Sequence, residues 1–149
     1  MDKKVLAVAS QGGHWQQLEA LIPAFKACQP SFASTTRDRP DLSPTCRYYP
    51  LPNANRRTPL QAIWLLFTSA CLIIRLRPDV IISTGALPGL ACIFWGRFFG
   101  ARTLWIDSIA NADRLSLSGR IARYLASATL SQWPDLGRMT GVEYRGAVL

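Results

Sequence analysis

The sequence has few of the side chains from which metal sites are built. His14 is its only histidine, and none of its four cysteines form a C-x-x-C pair. Without closely spaced sulfur and imidazole ligands a zinc site is not expected, and we predict no metal. Cys71 and Cys92 lie in apolar runs, which predicts reduced thiols in the core of a cytosolic protein. No signal-peptide pattern precedes the first strand pattern, so secretion is not expected.

Acidic residues are also scarce, since nine Asp and Glu face seventeen Lys and Arg and the net charge is +8. Such a surplus predicts an anionic partner, such as nucleic acid, an anionic membrane surface or a phosphorylated substrate. The plainer alternative is a soluble domain with a basic surface. The excess is mostly arginine spread along the chain, with no basic helix or Lys/Arg block, which argues against nucleic acid.

No apolar run reaches the roughly twenty residues that span a bilayer. The most apolar segment, Leu60–Ile74, has about fifteen residues, and a second apolar stretch runs from Leu87 to Phe99. Basic residues flank both, which favours helices that lie in an anionic membrane interface. Buried helices of an α/β domain are the alternative. The predicted membrane contacts are Arg56, Arg57, Trp64, Arg75, Arg77 and Trp95.

Strand and helix patterns alternate along the chain, which predicts the α/β class. The order favours a Rossmann-like parallel sheet with helices on both faces, formed by one domain over residues 1–149. Thr58 and Pro59 suit the start of a helix that Pro78 stops. Strands are predicted at Lys4–Ser10, Ser31–Thr35, Cys46–Pro50, Asp79–Ser83, Arg102–Asp107, Ala128–Ser131 and weakly at Val142–Tyr144, and helices at His14–Cys28, Pro59–Ile74, Pro88–Phe99 and Leu117–Ala126.

The first strand runs into the turn Ser10-Gln11-Gly12-Gly13-His14, which lacks the G-x-G-x-x-G fingerprint of dinucleotide sites. In open α/β sheets ligands bind where strands end and helices begin, and the free N–H groups there favour an anion. The glycine pair lets a ligand approach the backbone closely. His14 at the helix start is favoured in its neutral form, as a general base must be. A histidine that only caps its own turn is the alternative.

Two later turns are predicted to reach the same edge. Thr84 and Gly85 follow a buried strand and form a second anion-friendly turn, unless this is a plain tight turn. Asp107, Ser108 and Asn111 follow the next strand and would bind sugar hydroxyls or steady His14. Asn111 or Asp113 would alternatively cap the helix at Leu117, and for Asp113 we prefer that interpretation.

Four segments in this order resemble the membrane-associated, acceptor-side subunits of two-part GT-B glycosyltransferases. That family includes the eukaryotic anchor subunit of the dolichol-linked N-acetylglucosaminyltransferase and its bacterial capsule and exopolysaccharide relatives. The single-chain transferase that makes lipid II has a similar Gly-Gly-His turn. The segments that carry the resemblance are Gly12–His14, Pro78–Gly85, Asp107–Arg123 and Gln132–Leu136.

The resemblance implies a domain equivalent to the N-terminal half of a GT-B enzyme, which binds a polyprenyl-pyrophosphate-linked acceptor. A partner chain similar to the C-terminal domain would bind the UDP-sugar, whose sugar is N-acetylglucosamine, glucuronic acid or galactose. His14 is then the first candidate base, and Asp107 is the second candidate or orients the sugar. No cofactor is implied. Gly12, Gly13, Thr84, Gly85, Ser108 and Asn111 would bind the acceptor.

The family's eukaryotic members carry an N-terminal transmembrane helix, whereas here a strand is predicted from residue 4. Attachment would then come from Pro59–Ile74 and Leu87–Phe99, at the cytoplasmic face of the inner membrane. Two other functions stay open. One is a non-catalytic scaffold that recruits its partner to the membrane, and the other is a stand-alone nucleotide-binding enzyme.

Overall fold

A computed structural model describes residues 2–55 and 57–148. Seven parallel strands form one sheet in the order β3-β2-β1-β4-β5-β6-β7, which confirms the predicted Rossmann-like architecture. The strands are β1 Lys3–Ala9, β2 Cys28–Ser34, β3 Arg47–Pro50, β4 Val80–Gly85, β5 Arg102–Ile106, β6 Ala128–Ser131 and β7 Glu143–Tyr144. The helices are α1 Gly13–Ala20, α2 Pro59–Leu76, α3 Ala86–Phe98, α4 Leu117–Leu125 and α5 Pro134–Thr140, with a 3-10 helix at Ile22–Phe25.

The strands divide their side chains between two cores, because successive residues of a strand point to opposite faces. Leu6 and Val8 of β1 pack beneath α2, α3 and α4, where Trp105 is the largest fully buried side chain. Val5 and Ala7 face the other way, toward α1 and the 3-10 helix. Burial on both faces explains the continuous apolar runs Val5–Ala9 of β1 and Val80–Ile82 of β4.

The first helix is shorter than predicted. We expected a helix over His14–Cys28, but α1 ends at Ala20 and a 3-10 helix follows. Pro23 lacks the N–H that would continue an α-helical ladder, so the turn tightens there. Cys28 consequently already belongs to β2. The short helix α5 was not predicted, although Pro134 stands at its start as it often does in helices.

The apolar helix α2 is longer than the segment identified from the sequence, with 18 residues from Pro59 to Leu76. Thr58 is its N-cap residue, but the Thr58 hydroxyl bonds Asn55 instead of the helix. Arg77 ends α2 in the left-handed conformation, at φ 45°. The helix is therefore closed by its backbone, and the Arg77 side chain is left exposed.

Two further expectations are corrected. Cys71 is exposed on α2, whereas Cys92 is buried as predicted, and burial raises the pKa of the Cys92 thiol to about 12.

The helix α4 is capped by Ser116, whose hydroxyl accepts the N–H of Gly119 at 2.8 Å. Asp113 is exposed and does not serve as that cap.

Candidate functional site at the carboxyl edge of the sheet

The strand order reverses between β1 and β4, and their last residues meet at the carboxyl edge, the edge at which all the strands end. Ligands of open α/β sheets bind at such a point. The pairing of β1 with β4 is irregular there, because Ala9 lies opposite Gly85 and Thr84 is skipped. Of the predicted residues, Gly12, Gly13 and His14 follow β1, while Thr84 and Gly85 end β4.

His14 is held across this junction by two hydrogen bonds. Its Nδ1 lies 3.0 Å from the carbonyl oxygen of Thr84, and the Thr84 hydroxyl donates to the His14 carbonyl at 2.7 Å. A carbonyl only accepts, so Nδ1 carries the proton and Nε2 is the basic nitrogen of the neutral ring. The imidazole is half-buried. It is thus fixed in the tautomer in which Nε2 can take a proton.

Gly85 is required by the position of His14. A Cβ on Gly85 would lie 2.3 Å from Nδ1 of His14, and its φ of +143° disfavours any side chain. The next residue, Ala86, has φ 67°, a conformation that is strained for alanine. Strained backbone that persists in a folded protein is concentrated at functional sites. The turn after β4 is therefore shaped around the imidazole.

Gly12 and Gly13 form the open side of the site. Gly12 has φ +85°, and a Cβ added at either glycine would meet no atom within 4 Å. Both residues are exposed. Their backbone is accessible to a ligand, and α1 begins here with the N–H groups that an anion would contact.

Asp107 lies inside its loop and does not face this opening. The side chain is 1% exposed, and each carboxylate oxygen accepts two hydrogen bonds. One oxygen accepts from the indole of Trp105 at 3.0 Å and from the Ser116 hydroxyl at 2.6 Å. The other accepts from the Asn111 amide at 3.2 Å and from the Ser116 N–H at 3.0 Å. This geometry makes Asp107 the anchor of the loop that leads to α4.

The predicted side chains of Ser108 and Asn111 are likewise occupied within the protein. The Ser108 hydroxyl accepts the Gln17 amide at 3.1 Å and the Ala110 N–H at 3.3 Å, and Asn111 donates to Asp107. The structure thus brings His14, Thr84 and Gly85 together with the two exposed glycines. Asp107, Ser108 and Asn111 form a separate, inward-facing group at the same edge.

Two buried glutamines that sequence reasoning missed join these groups. Gln17, 3% exposed, donates to Gly13 O at 3.3 Å and to Ser108, and accepts the Ile109 N–H at 3.1 Å. Gln132 donates to Gln17 at 2.5 Å and to the Asp107 carbonyl at 3.0 Å. Gln132 also accepts the Val148 N–H at 2.8 Å. For Gln17 the available signal was a glutamine among the apolar residues of a helix, because buried amides need partners. Gln132 lies between β6 and α5 and gave no such signal.

The predicted membrane contacts lie on or beside α2 and α3, except Arg56, which lies outside the described residues. Arg57 and Arg75 are exposed near opposite ends of α2, and Trp64 is 57% exposed between them. Trp95 of α3 is half-buried, and its indole donates to Leu66 O at 2.9 Å, so it also joins the two helices. Large exposed apolar side chains surround them: Leu60, Ile63, Leu66, Phe67, Ile74, Phe94, Phe98 and Phe99.

Length and composition would allow α2 to cross a membrane, with a mean hydropathy of 1.6, and no other helix among residues 2–55 and 57–148 meets that criterion. Core helices of soluble proteins can be equally long and apolar, but they are mostly buried. Of the 18 residues of α2, only 22% are buried. Its buried residues Leu65, Leu72 and Ile73 pack on the sheet. The rest of α2 leaves an uncovered apolar surface of the kind that marks an interaction site.

No three His, Cys, Asp or Glu side chains come together as a metal site in the part of the chain that the structure describes. The groups left for a ligand at the carboxyl edge are the backbone N–H groups of the Gly12–Gly13 turn and Nε2 of His14. These groups suit an anionic or hydroxyl-bearing organic ligand.

The sheet order and solved structures define the class of fold, which is that of the GT-B glycosyltransferases and UDP-N-acetylglucosamine 2-epimerases. MurG of Acinetobacter baumannii superposes with a TM-score of 0.69 at 15% identity, covering 89% of this chain and 42% of that one. A UDP-N-acetylglucosamine 2-epimerase of Rickettsia bellii superposes with a TM-score of 0.75 at 12% identity, covering 99% of this chain and 46% of that one. At such identities the likeness establishes the fold alone.

The chain belongs to the family described as "Oligosaccharide biosynthesis protein Alg14 like", whose profile matches residues 26–148. Two relatives are each named UDP-N-acetylglucosamine transferase subunit ALG14. That of Schizosaccharomyces pombe is 35% identical over 103 residues, 61% of this chain and 48% of the relative. The Mus musculus relative is 30% identical over 88 residues, which are 53% of this chain and 38% of the relative. The matched segments thus span less than half the length of these relatives.

Proposed function

We propose that this chain is the acceptor-binding and membrane-recruiting subunit of a two-part inverting glycosyltransferase. It would act on a polyprenyl-pyrophosphate-linked glycan in polysaccharide or lipid-linked oligosaccharide synthesis, with a UDP-sugar as donor. The relatives' name as transferase subunits supports a second chain, which we propose binds the donor. The observation that carries the proposal is the imidazole of His14, fixed in one tautomer beside the exposed glycines at the strand-order reversal.

In this mechanism His14 is the general base. Nε2 removes the proton from the acceptor hydroxyl, and that oxygen bonds to the anomeric carbon of the donor sugar as the bond to UDP breaks. The pyrophosphate of the acceptor would lie against the backbone N–H groups of the Gly12–Gly13 turn and the start of α1. Thr84 positions the ring through its carbonyl, and Asp107 holds the neighbouring loop.

The membrane contact that we propose is in-plane. One face of α2 is buried against α3 in the core that both helices share with the sheet, so α2 could cross a bilayer only if the rest of the domain entered the bilayer with it. A helix that lies in the interface buries its free apolar face and keeps basic ends among the headgroups. Trp64, Phe67 and Phe98 would then lie at headgroup depth, with Arg57, Arg75 and Arg77 beside them, on the cytoplasmic face of the inner membrane.

A second candidate is a scaffold that recruits its partner without contributing a catalytic residue. The inward position of Asp107 favours it, because His14 is then the one predicted catalytic group that faces the opening. The two functions share fold, partner and membrane contact. They differ in what His14 does.

The His14→Ala variant separates them when it is assayed in the complex with the donor-binding partner. General-base catalysis contributes about 10²–10⁴-fold, so we expect turnover to fall at least a hundredfold with the KM for the UDP-sugar unchanged. Gln16→Ala is the control, because Gln16 is exposed on the same helix. Normal turnover of the His14 variant would remove His14 from the mechanism and leave the scaffold function.

A further inference from the structure

A cavity lies at the amino edge of the sheet, where the strands begin, at the edge opposite His14. It measures about 740 Å³ and is bounded by the starts of β1 and β2, the segment before β3, and the ends of the 3-10 helix and α2. That volume is within the range of sites for small organic ligands. The proposed transferase function does not use this cavity.

Four basic residues from four separate parts of the chain line the cavity: Lys4 of β1, Lys26 after the 3-10 helix, Arg47 of β3 and Arg75 of α2. No Asp or Glu is among the lining residues. None of the four is paired with an Asp or Glu side chain of the described residues, where the ion pairs are Arg138–Asp135 and Arg145–Glu143. Like charges held around one cavity repel each other, and an anion bound between them relieves that repulsion.

Asp79 follows the lining residue Pro78 and is an acidic group next to the cavity. Its carboxylate accepts the backbone N–H of Lys4 at 2.8 Å, so it is already engaged. The four cations are thus not balanced by any carboxylate of the lining residues.

One wall of the cavity is held in shape by Arg39. Its guanidinium donates to the carbonyls of Ser43 at 2.6 Å and Cys46 at 3.1 Å, which fixes the segment that leads into Arg47. The hydroxyls of Ser43 and Thr45 lie 3.0 Å apart, and only one of them can donate to the other. The second hydroxyl hydrogen is free for a ligand. A preformed wall lowers the entropic cost of binding.

The cavity also has an apolar part, formed by Phe25, Ile22 and Leu76 among others. Cations and hydroxyls together with apolar side chains fit a phosphate group that carries an organic body. Because Ile74 of the exposed apolar surface directly precedes Arg75, a membrane lipid can supply this chemistry as well as a soluble molecule. We infer that the amino-edge cavity is a binding site for a phosphate ester.

The test uses the full chain, with glycerol 3-phosphate as the soluble probe and vesicles of phosphatidylglycerol and phosphatidylcholine as the lipid probe. Arg47→Gln changes the first residue of β3, inside the cavity. Arg102→Gln is its matched control, because Arg102 is the exposed first residue of β5 at the same edge but outside the cavity. Both variants lose one charge. Lys26→Gln is a second cavity variant, and circular dichroism verifies the fold of all three.

We expect saturable binding of glycerol 3-phosphate by calorimetry, weakened at least fivefold by Arg47→Gln and less than twofold by Arg102→Gln. If Arg47→Gln selectively weakens binding of glycerol 3-phosphate, the ligand is a soluble phosphate ester. If it selectively weakens binding only to phosphatidylglycerol vesicles, the ligand is a lipid headgroup. Equal losses of binding in both variants with both probes would show a net-charge effect and would overturn the inference. Failure of both probes to bind would overturn it as well.

Discussion

At the carboxyl edge of the sheet polar side chains are buried, whereas along α2 and α3 large apolar side chains are exposed. Gln17, Gln132 and Asp107 are each less than 5% exposed, while Trp64 and Phe67 are 57% and 59% exposed. Each region reverses the usual distribution of a soluble domain. The buried polar groups thus hold the loops of the candidate site in place, whereas the exposed apolar side chains form a surface of the kind that marks an interaction site.

We expect the largest effect for Gly85→Ala, which changes the geometry of the polar region around His14. A Cβ there would lie 2.3 Å from Nδ1 of His14, so the imidazole must move. Because a misplacement of about 1 Å can cost a hundredfold in rate, we expect turnover in the complex to fall about a hundredfold. Gly100→Ala is the control, since Gly100 also has a positive φ of +85° but open space around it. Equal turnover in the two variants would mean that the contact with His14 is irrelevant to function.

The buried polar region should also govern stability, and Asp107→Ala tests this. Its removal takes away the acceptor of four hydrogen bonds and leaves buried donors unpaired. We expect the free energy of unfolding to fall by about 3 kcal/mol in urea denaturation. Asp113→Ala, on the exposed part of the same loop, should change it by less than about 0.5 kcal/mol. Similar small losses in both would disprove the role of Asp107 as loop anchor.

The exposed apolar region should respond in the opposite way. The double variant Trp64→Ser, Phe67→Ser removes two stacked rings whose centroids lie 5.7 Å apart on the surface of α2. We expect binding to anionic vesicles to weaken at least tenfold, since full burial of even one such side chain contributes about 1.5–3 kcal/mol. The unfolding midpoint in solution should stay unchanged. Met139→Ser, exposed on α5, is the control, and an equal loss of vesicle binding there would contradict a specific membrane face.

The sequence was sufficient for the fold and for the turns of the site, but not for the state of each side chain. Alternating apolar runs predict the strands because their burial depends on local pattern alone. Proximity of His14 and Thr84 also followed, since parallel strands end at one edge. The inward orientation of Asp107 did not, because its partners Trp105 and Ser116 are set by tertiary packing. The contact between Gly85 and His14, 71 residues apart, is likewise visible only in three dimensions.

The sequence also could not predict which side chains of α2 are exposed. An apolar helix that packs on both sides and one that packs on a single side have similar composition, and Cys71 illustrates this because its apolar run predicted burial. Only the position of α2 as the crossover between β3 and β4, with one face on the sheet, reveals which side chains stay outside.

Reconstitution tests whether this chain supplies half of a shared active site, as we propose. Sugar transfer from UDP-N-acetylglucosamine to a polyprenyl-pyrophosphate-linked acceptor is measured for this chain alone, for a donor-binding partner chain alone, and for the two mixed on anionic vesicles. We expect no transfer by either chain alone and transfer by the mixture. Full transfer by this chain without a partner would disprove a shared active site.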